Sequence, residues 1–221
     1  MDDLVTIIRR SLRENVDPDL APGQQAYMKS SMPFLGVRVP HVRRLTKAAA
    51  RSCPPADIDD LAGSVRRLWD EATHREERYA ATTLTALRLA KGCLELLYLY
   101  EHISVTGAWW DHVDDVAHRI ADLHDAHPEP TARAVRRWSA SSDMWLRRLA
   151  IISQLGRRDR VDRALLVDVI EPNLADPEFF IRKAIGWALR EVARVDPGWV
   201  QTFADEHELS PLSRREALKH L

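Results

Sequence analysis

Trp110 and Asp114 stand four residues apart in Trp109-Trp110-Asp111-His112-Val113-Asp114. On a helix that spacing puts an indole and a carboxylate on one face. Trp187 follows Lys183 by one helical turn, and Arg148 lies in Trp145-Leu146-Arg147-Arg148. If helices bring these together, the set suits a reaction that builds positive charge on a sugar. A carboxylate stabilises an oxocarbenium-like transition state and orients the attacking water. Indole faces attract cations and electron-poor C–H groups by ~0.5–2 kcal/mol each. An arginine holds a phosphate in register without reading sequence. Cutting an N-glycosidic bond is one such reaction; a purine alkylated at N3 or N7, for example, is already cationic and leaves without a general acid. The same residue types have plainer uses: a Trp on a helix commonly packs into a core, and a lone Asp is commonly solvated. Residue types alone favour the plainer uses.

Other chemistries lack their motifs. There is no HExxH and no clustered Cys/His set, and His112 and His118 have nothing nearby to complete a ligand set, so no metal is expected. No phosphate-binding glycine loop, dinucleotide fingerprint or nucleophile elbow occurs, and no cofactor is expected. No helix-hairpin-helix signature with a downstream Asp is present, and no lysine is singled out as a Schiff-base nucleophile. Hydrolysis without strand cleavage is the natural expectation.

These side chains must be positioned by helices. Periodicity and caps predict segments 4–14, 19–30, 40–51, 55–69, 74–90, 92–103, 109–125, 129–139, 143–157, 160–174, 177–194, 198–206 and 211–220. Asp176-Pro177, Asp196-Pro197 and Ser210-Pro211 each place a capping side chain before a proline at the first helical position. Alternating β-branched runs are nearly absent. The apolar stretch Met32-Pro33-Phe34-Leu35-Gly36-Val37 reads as a fixed elbow. Arg43, Arg78, Arg148 and Lys183 fall in one register of 35 residues, and Val113 occupies the remaining place. That spacing suits a helix-pair repeat whose members bury their apolar faces only by stacking. The expected fold is all-α, a curved α-α solenoid of HEAT-like helical repeats over 1–221 as a single domain, with a basic stripe on the concave face.

Composition fits that picture. The 221 residues carry 32 basic and 33 acidic side chains, a net charge of −1. This excludes a uniformly basic nucleic-acid binder but not one with a basic face. The two cysteines, Cys53 and Cys93, form no disulfide framework, the N-terminus shows no signal pattern, and no apolar run spans a membrane. A cytoplasmic monomer is expected.

At the residues already named the chain resembles the AlkD-type DNA alkylation repair enzymes. The resemblance runs through Tyr27-Met28-Lys29 with Pro33-Phe34-Leu35-Gly36-Val37, the Trp109-Trp110-Asp111 and Val113-Asp114 block, and Trp145-Leu146-Arg147-Arg148. It continues in Phe179-Phe180-Ile181-Arg182-Lys183-Ala184-Ile185-Gly186-Trp187 and closes in Leu212-Ser213-Arg214-Arg215-Glu216-Ala217. It implies a HEAT-like solenoid gripping double-stranded DNA and excising cationic N3- and N7-alkylpurines without flipping the nucleotide. It puts the catalytic pair on Trp110 and Asp114, a second aromatic on Trp187 and a phosphate-binding arginine on Arg148. Tyr27, Lys29, Arg38, Arg43, Phe179, Phe180 and Lys183 complete the expected DNA contacts. The match is poor from Glu71 to Val105, and Arg38 replaces a residue that is commonly polar and uncharged in relatives. Two rivals remain: a non-catalytic solenoid binding damaged or branched DNA, and a protein-interaction scaffold. A carboxylate facing phosphates argues against a pure DNA binder, because it weakens binding.

Overall fold

The computed structural model describes residues 3–219 and 221. Among them the chain forms thirteen α-helices and no strand, in agreement with the all-α expectation. In order these are α1 (Leu4–Arg13), α2 (Ala21–Met28), α3 (Val39–Ser52), α4 (Ile58–Asp70), α5 (Arg75–Leu84), α6 (Leu97–Gly107), α7 (Trp110–Ala126), α8 (Pro128–Ser139), α9 (Met144–Ile152), α10 (Arg163–Ile170), α11 (Phe179–Ala193), α12 (Pro197–Glu206) and α13 (Pro211–Ala217). Short 3-10 turns separate several of them. No helix of the described residues is long and apolar enough to cross a membrane.

Local chemistry sets most starts. Asp196 accepts from the Trp199 amide at 3.0 Å and Ser210 from the Ser213 amide at 3.1 Å, each ahead of a proline at the first helical position. The third expected cap is different. α11 begins at Phe179 and not at Pro177, because Asp176 turns back to accept from the Glu178 amide at 2.8 Å while its other oxygen holds Arg147 at 3.0 Å. Other expected helices also end early. The segment from 74 stops at Leu84 before a 3-10 turn. The segment from 143 stops at Ile152, and beyond it Gly156 (φ 84°) and Arg158 (φ 56°) adopt left-handed backbone that no helix continues through.

The chain divides into two compact units, residues up to Leu99 and from Tyr100 onward. In the first, α1, α3, α4 and α5 pack together over Ile8, Leu12, Val42, Leu61, Leu68 and Leu84. The expected elbow is here. Phe34, Leu35 and Val37 are buried, and Gly36 has φ 89°. A Cβ on Gly36 would lie 1.9 Å from the Asp17 carbonyl oxygen, so only glycine fits. The fully buried Glu76 carboxylate accepts from the amides of Leu35, Gly36 and Val37 at 2.9–3.1 Å. Burial pushes its pKa up, and those amides oppose the push.

In the second unit α7, α9 and α11 pack side by side, with α8, α10, α12 and α13 against them. Its core includes Val116, Ile120, Val135, Trp138, Leu149, Ile152, Ile181 and Leu189. Gly186 of α11 permits the closest approach: a Cβ there would come within 2.5 Å of the Glu216 Cβ on α13.

Helix starts give the repeat a firmer register than sequence spacing does. Arg43 is the fifth residue of α3 and Arg78 the fourth of α5. Asp114, Arg148 and Lys183 are each the fifth residue of α7, α9 and α11. Asp114 therefore holds the place that cations hold on α9 and α11.

Candidate active site

Trp109 caps α7 in extended backbone, so Trp110 opens the helix and Asp114 follows one turn later. α9 starts under Asp143, whose carboxylate accepts from the amides of Trp145 and Leu146 at 2.9 and 3.0 Å. That start aims Arg148 at α7. Arg148 donates from Nε to Asp114 Oδ1 and from Nη2 to Asp114 Oδ2, both at 2.8 Å. Its Nη1 donates to the Phe180 carbonyl oxygen on α11 at 2.7 Å. One bidentate pair and one main-chain bond thus link three neighbouring helices.

The pair is largely withdrawn from water, with side-chain exposure of 5% for Arg148 and 18% for Asp114. Burial pushes the Asp114 carboxyl above its ordinary pKa. The hydrogen bonds and charge of Arg148 oppose that, Asp111 adds to it, and His118 opposes it weakly. A carboxylate has about four lone-pair sites and Arg148 takes two, so the exposed edge of Asp114 can still accept from water or face a cation. Arg148 was expected on a DNA phosphate. Here its donors serve Asp114 and Phe180, leaving one N–H on each terminal nitrogen.

Trp110 and Trp187 are both part-exposed, on α7 and α11. Phe179 is 55% exposed and meets Phe180 edge-on at 5.3 Å. Behind them Trp109, Trp145 and Phe180 form a cluster with centroids 5.0–6.1 Å apart, which supports the start of α7. Trp109 Nε1 is buried and meets no acceptor among the described residues. Sequence reasoning gave neither Trp109 nor Trp145 a role in the site. The run of aromatic residues at the starts of α7, α9 and α11 was the available signal.

Lys183 does not end free in this arrangement: its Nζ lies 3.2 Å from Glu216 of α13, which also binds Arg190 at 2.7 Å. Glu216 was quoted in a motif but assigned nothing. In the first unit Tyr27 is 76% exposed on α2, and Lys29 ends that helix in left-handed backbone at φ 49°. Arg38 precedes α3 at the end of the elbow, and Arg38 and Arg43 are both exposed. Of the remaining Trp residues, Trp69, Trp138 and Trp145 are buried, while Trp199 is part-exposed and stacks on Phe203 at 5.5 Å. Among the described residues no three His, Cys, Asp or Glu side chains converge as a metal site.

The sequence profile of the family described as "DNA alkylation repair enzyme" matches residues 8–221. The chain belongs to that family. A solved structure described as a predicted DNA alkylation repair enzyme from Enterococcus faecalis is similar to it, at 29% identity and a TM-score of 0.84. The similarity covers 93% of this chain and 96% of that one. A comparison with curated proteins finds no match. Membership in a DNA alkylation repair family gives the chain a role in DNA repair.

Proposed function

We propose that this family member is a monofunctional DNA glycosylase that hydrolyses the N-glycosidic bond of cationic N3- and N7-alkylpurines in duplex DNA, as AlkD-type enzymes do. The observation that carries the reading is the carboxylate of Asp114, held rigidly by Arg148 with one edge left open, in a register otherwise occupied by cations.

The chemistry balances simply. The C1′–N bond breaks and its electron pair neutralises the charge on the purine, which departs as a neutral base. The positive charge moves to the sugar, where Asp114 faces it and Trp110 and Trp187 bear on the ring's C–H groups. Water adds to C1′, and its proton passes to Asp114 or to solvent. The product is an abasic site in an unbroken strand. Arg148 keeps the Asp114 rotamer fixed and uses its remaining N–H groups toward the backbone. Tyr27, Lys29, Arg38, Arg43, Phe179, Phe180 and Lys183 supply the other DNA contacts, Lys183 by exchanging Glu216 for a phosphate. The enzyme acts as a monomer in base excision repair. A site directed at the sugar sets no tight limit on the base, so bulky alkyl adducts are included among the substrates; release confined to methylated bases would remove that extension.

One observation favours a second reading. A buried bidentate pair is also how two helices are tied together structurally, as in a non-catalytic DNA-binding protein. Base release from a duplex with one N7-methylguanine separates the two. Wild type should release the base and Asp114→Asn should be slower by about 10²–10³-fold, the usual effect of removing one preorganised electrostatic group. An Asp114→Asn protein that is folded and equally active would leave only the structural role.

A further inference from the structure

Arg78 lies where the family resemblance is weakest and where the proposed chemistry uses nothing. It sits on α5 with its guanidinium carbon 4.7 Å from the centroid of the Trp69 ring on α4. Trp69 is fully buried, so its indole is a fixed platform. A guanidinium held over such a platform is restrained, and an aromatic face leaves its N–H groups to find acceptors elsewhere.

Three other arginines of this unit end on carboxylates: Arg9 on Glu71 and Glu77, Arg66 on Asp70, and Arg67 on Asp3. Arg78 does not. Among the described residues its guanidinium meets no acceptor, and its Nε is buried without one. Burial disfavours its charge, and so does Arg75 one turn earlier on the same helix; Asp70 offsets this in part. A half-buried cation beside a like charge and without an acceptor is an unfavourable arrangement that an anion would relieve. The position is also the one that the repeat marks. Arg78 is the fourth residue of α5, and Arg43 is the exposed fifth residue of α3, the helix packed against it.

We propose that Arg78, braced on Trp69, is a phosphodiester-binding site of the first unit that holds the DNA backbone independently of the lesion. The proposal rests on the DNA-binding part of the function given above, and not on the glycosylase part. Two non-bridging oxygens of one phosphate match the edge of a guanidinium, and the stack preorganises the donor so that little side-chain entropy is lost on binding. Such a contact carries no sequence or damage information.

The test is the salt dependence of binding to an undamaged duplex by wild type and Arg78→Gln. One phosphate contact contributes a log–log slope of about 0.9, so the Arg78→Gln slope should be shallower by about that amount, with weaker binding at low salt. An unaltered slope and affinity in a folded Arg78→Gln protein would overturn the proposal. Should Arg78→Gln not fold, wild type decides the matter through the Nε–H resonance of Arg78, assigned from Arg78→Lys. That resonance should move on titration with undamaged duplex. A resonance that stays put at saturation, or that moves with inorganic phosphate but not with duplex, overturns the DNA site. Failure of the glycosylase reading looks different: the slope still depends on Arg78 while no base is released.

Discussion

The proposed reaction needs Asp114 ionised while it is four-fifths hidden from water; burial disfavours that form, and the hydrogen bonds and charge of Arg148 favour it. The ionised form is the one that can face an oxocarbenium ion, so the rate should rise as pH climbs through the carboxyl's pKa in the folded protein. Burial has moved that pKa up and Arg148 moves it back. Arg148→Met removes the downward influence, and the acid limb of the pH–rate profile should then move to higher pH. A profile that keeps its position while activity falls uniformly would mean that Arg148 acts on DNA and not on Asp114. The spacing of Trp110 and Asp114 was legible in the sequence because i and i+4 share a helix face whatever surrounds the helix. The partnership with Arg148 was not read, since it crosses helices over 34 residues. The information was nonetheless there: a repeat of 35 residues that stacks equivalent positions also predicts that neighbours in the stack touch.

That reasoning extends to the helices. Arg157 and Arg160 both bind Asp125, Asn173 donates to the Ser139 carbonyl at 3.0 Å, and Arg137 binds Glu101 at 2.7 Å, all across roughly one repeat of chain. The polar pairs mark the repeat as clearly as the cations do. Helix existence was legible and helix ends were less so, because Gly156 and the left-handed Arg158 interrupt an apolar pattern that otherwise runs on. The seat of α13 on α11 was invisible, since a glycine inside a helix carries no sign of what approaches it. Gly186→Ala tests that seat. Helix propensity alone favours alanine by about 1 kcal/mol. The added Cβ, however, would lie 2.5 Å from the Glu216 Cβ and 2.9 Å from the Ser213 carbonyl oxygen. The crowding should prevail and destabilise the protein by about 1–3 kcal/mol, seen as a lower melting temperature. A raised melting temperature would mean that α13 can move aside cheaply.

For the whole molecule, a net charge of −1 leaves little long-range attraction to DNA, so affinity has to come from placed cations and should fall steeply with salt. Global stability has its own pH dependence. His124 is buried with its Nε2 3.2 Å from Ser153 Oγ, and burial and Arg157 lower its pKa from 6.5 to about 4. The unfolded chain takes up the proton near pH 6.5, whereas the folded protein does not until about pH 4. Stability from this group is therefore complete above the higher value and is lost as pH falls between the two, by about 3 kcal/mol. Urea unfolding across that window should show the loss in wild type and a flatter profile in His124→Gln. Equal slopes in the two proteins would assign the acid sensitivity elsewhere. The elbow carries a consequence of another kind. Its three amides are satisfied by Glu76, about 40 residues further along the chain. Translation delivers Phe34 to Val37 well before it delivers that carboxylate. Until α5 has emerged from the ribosome, those amides have only water to bind, and the apolar side chains beside them have no finished core to enter. Arg38 therefore takes up its station late in biosynthesis, and a nascent chain halted before residue 76 would hold the elbow without the group that gives it a shape.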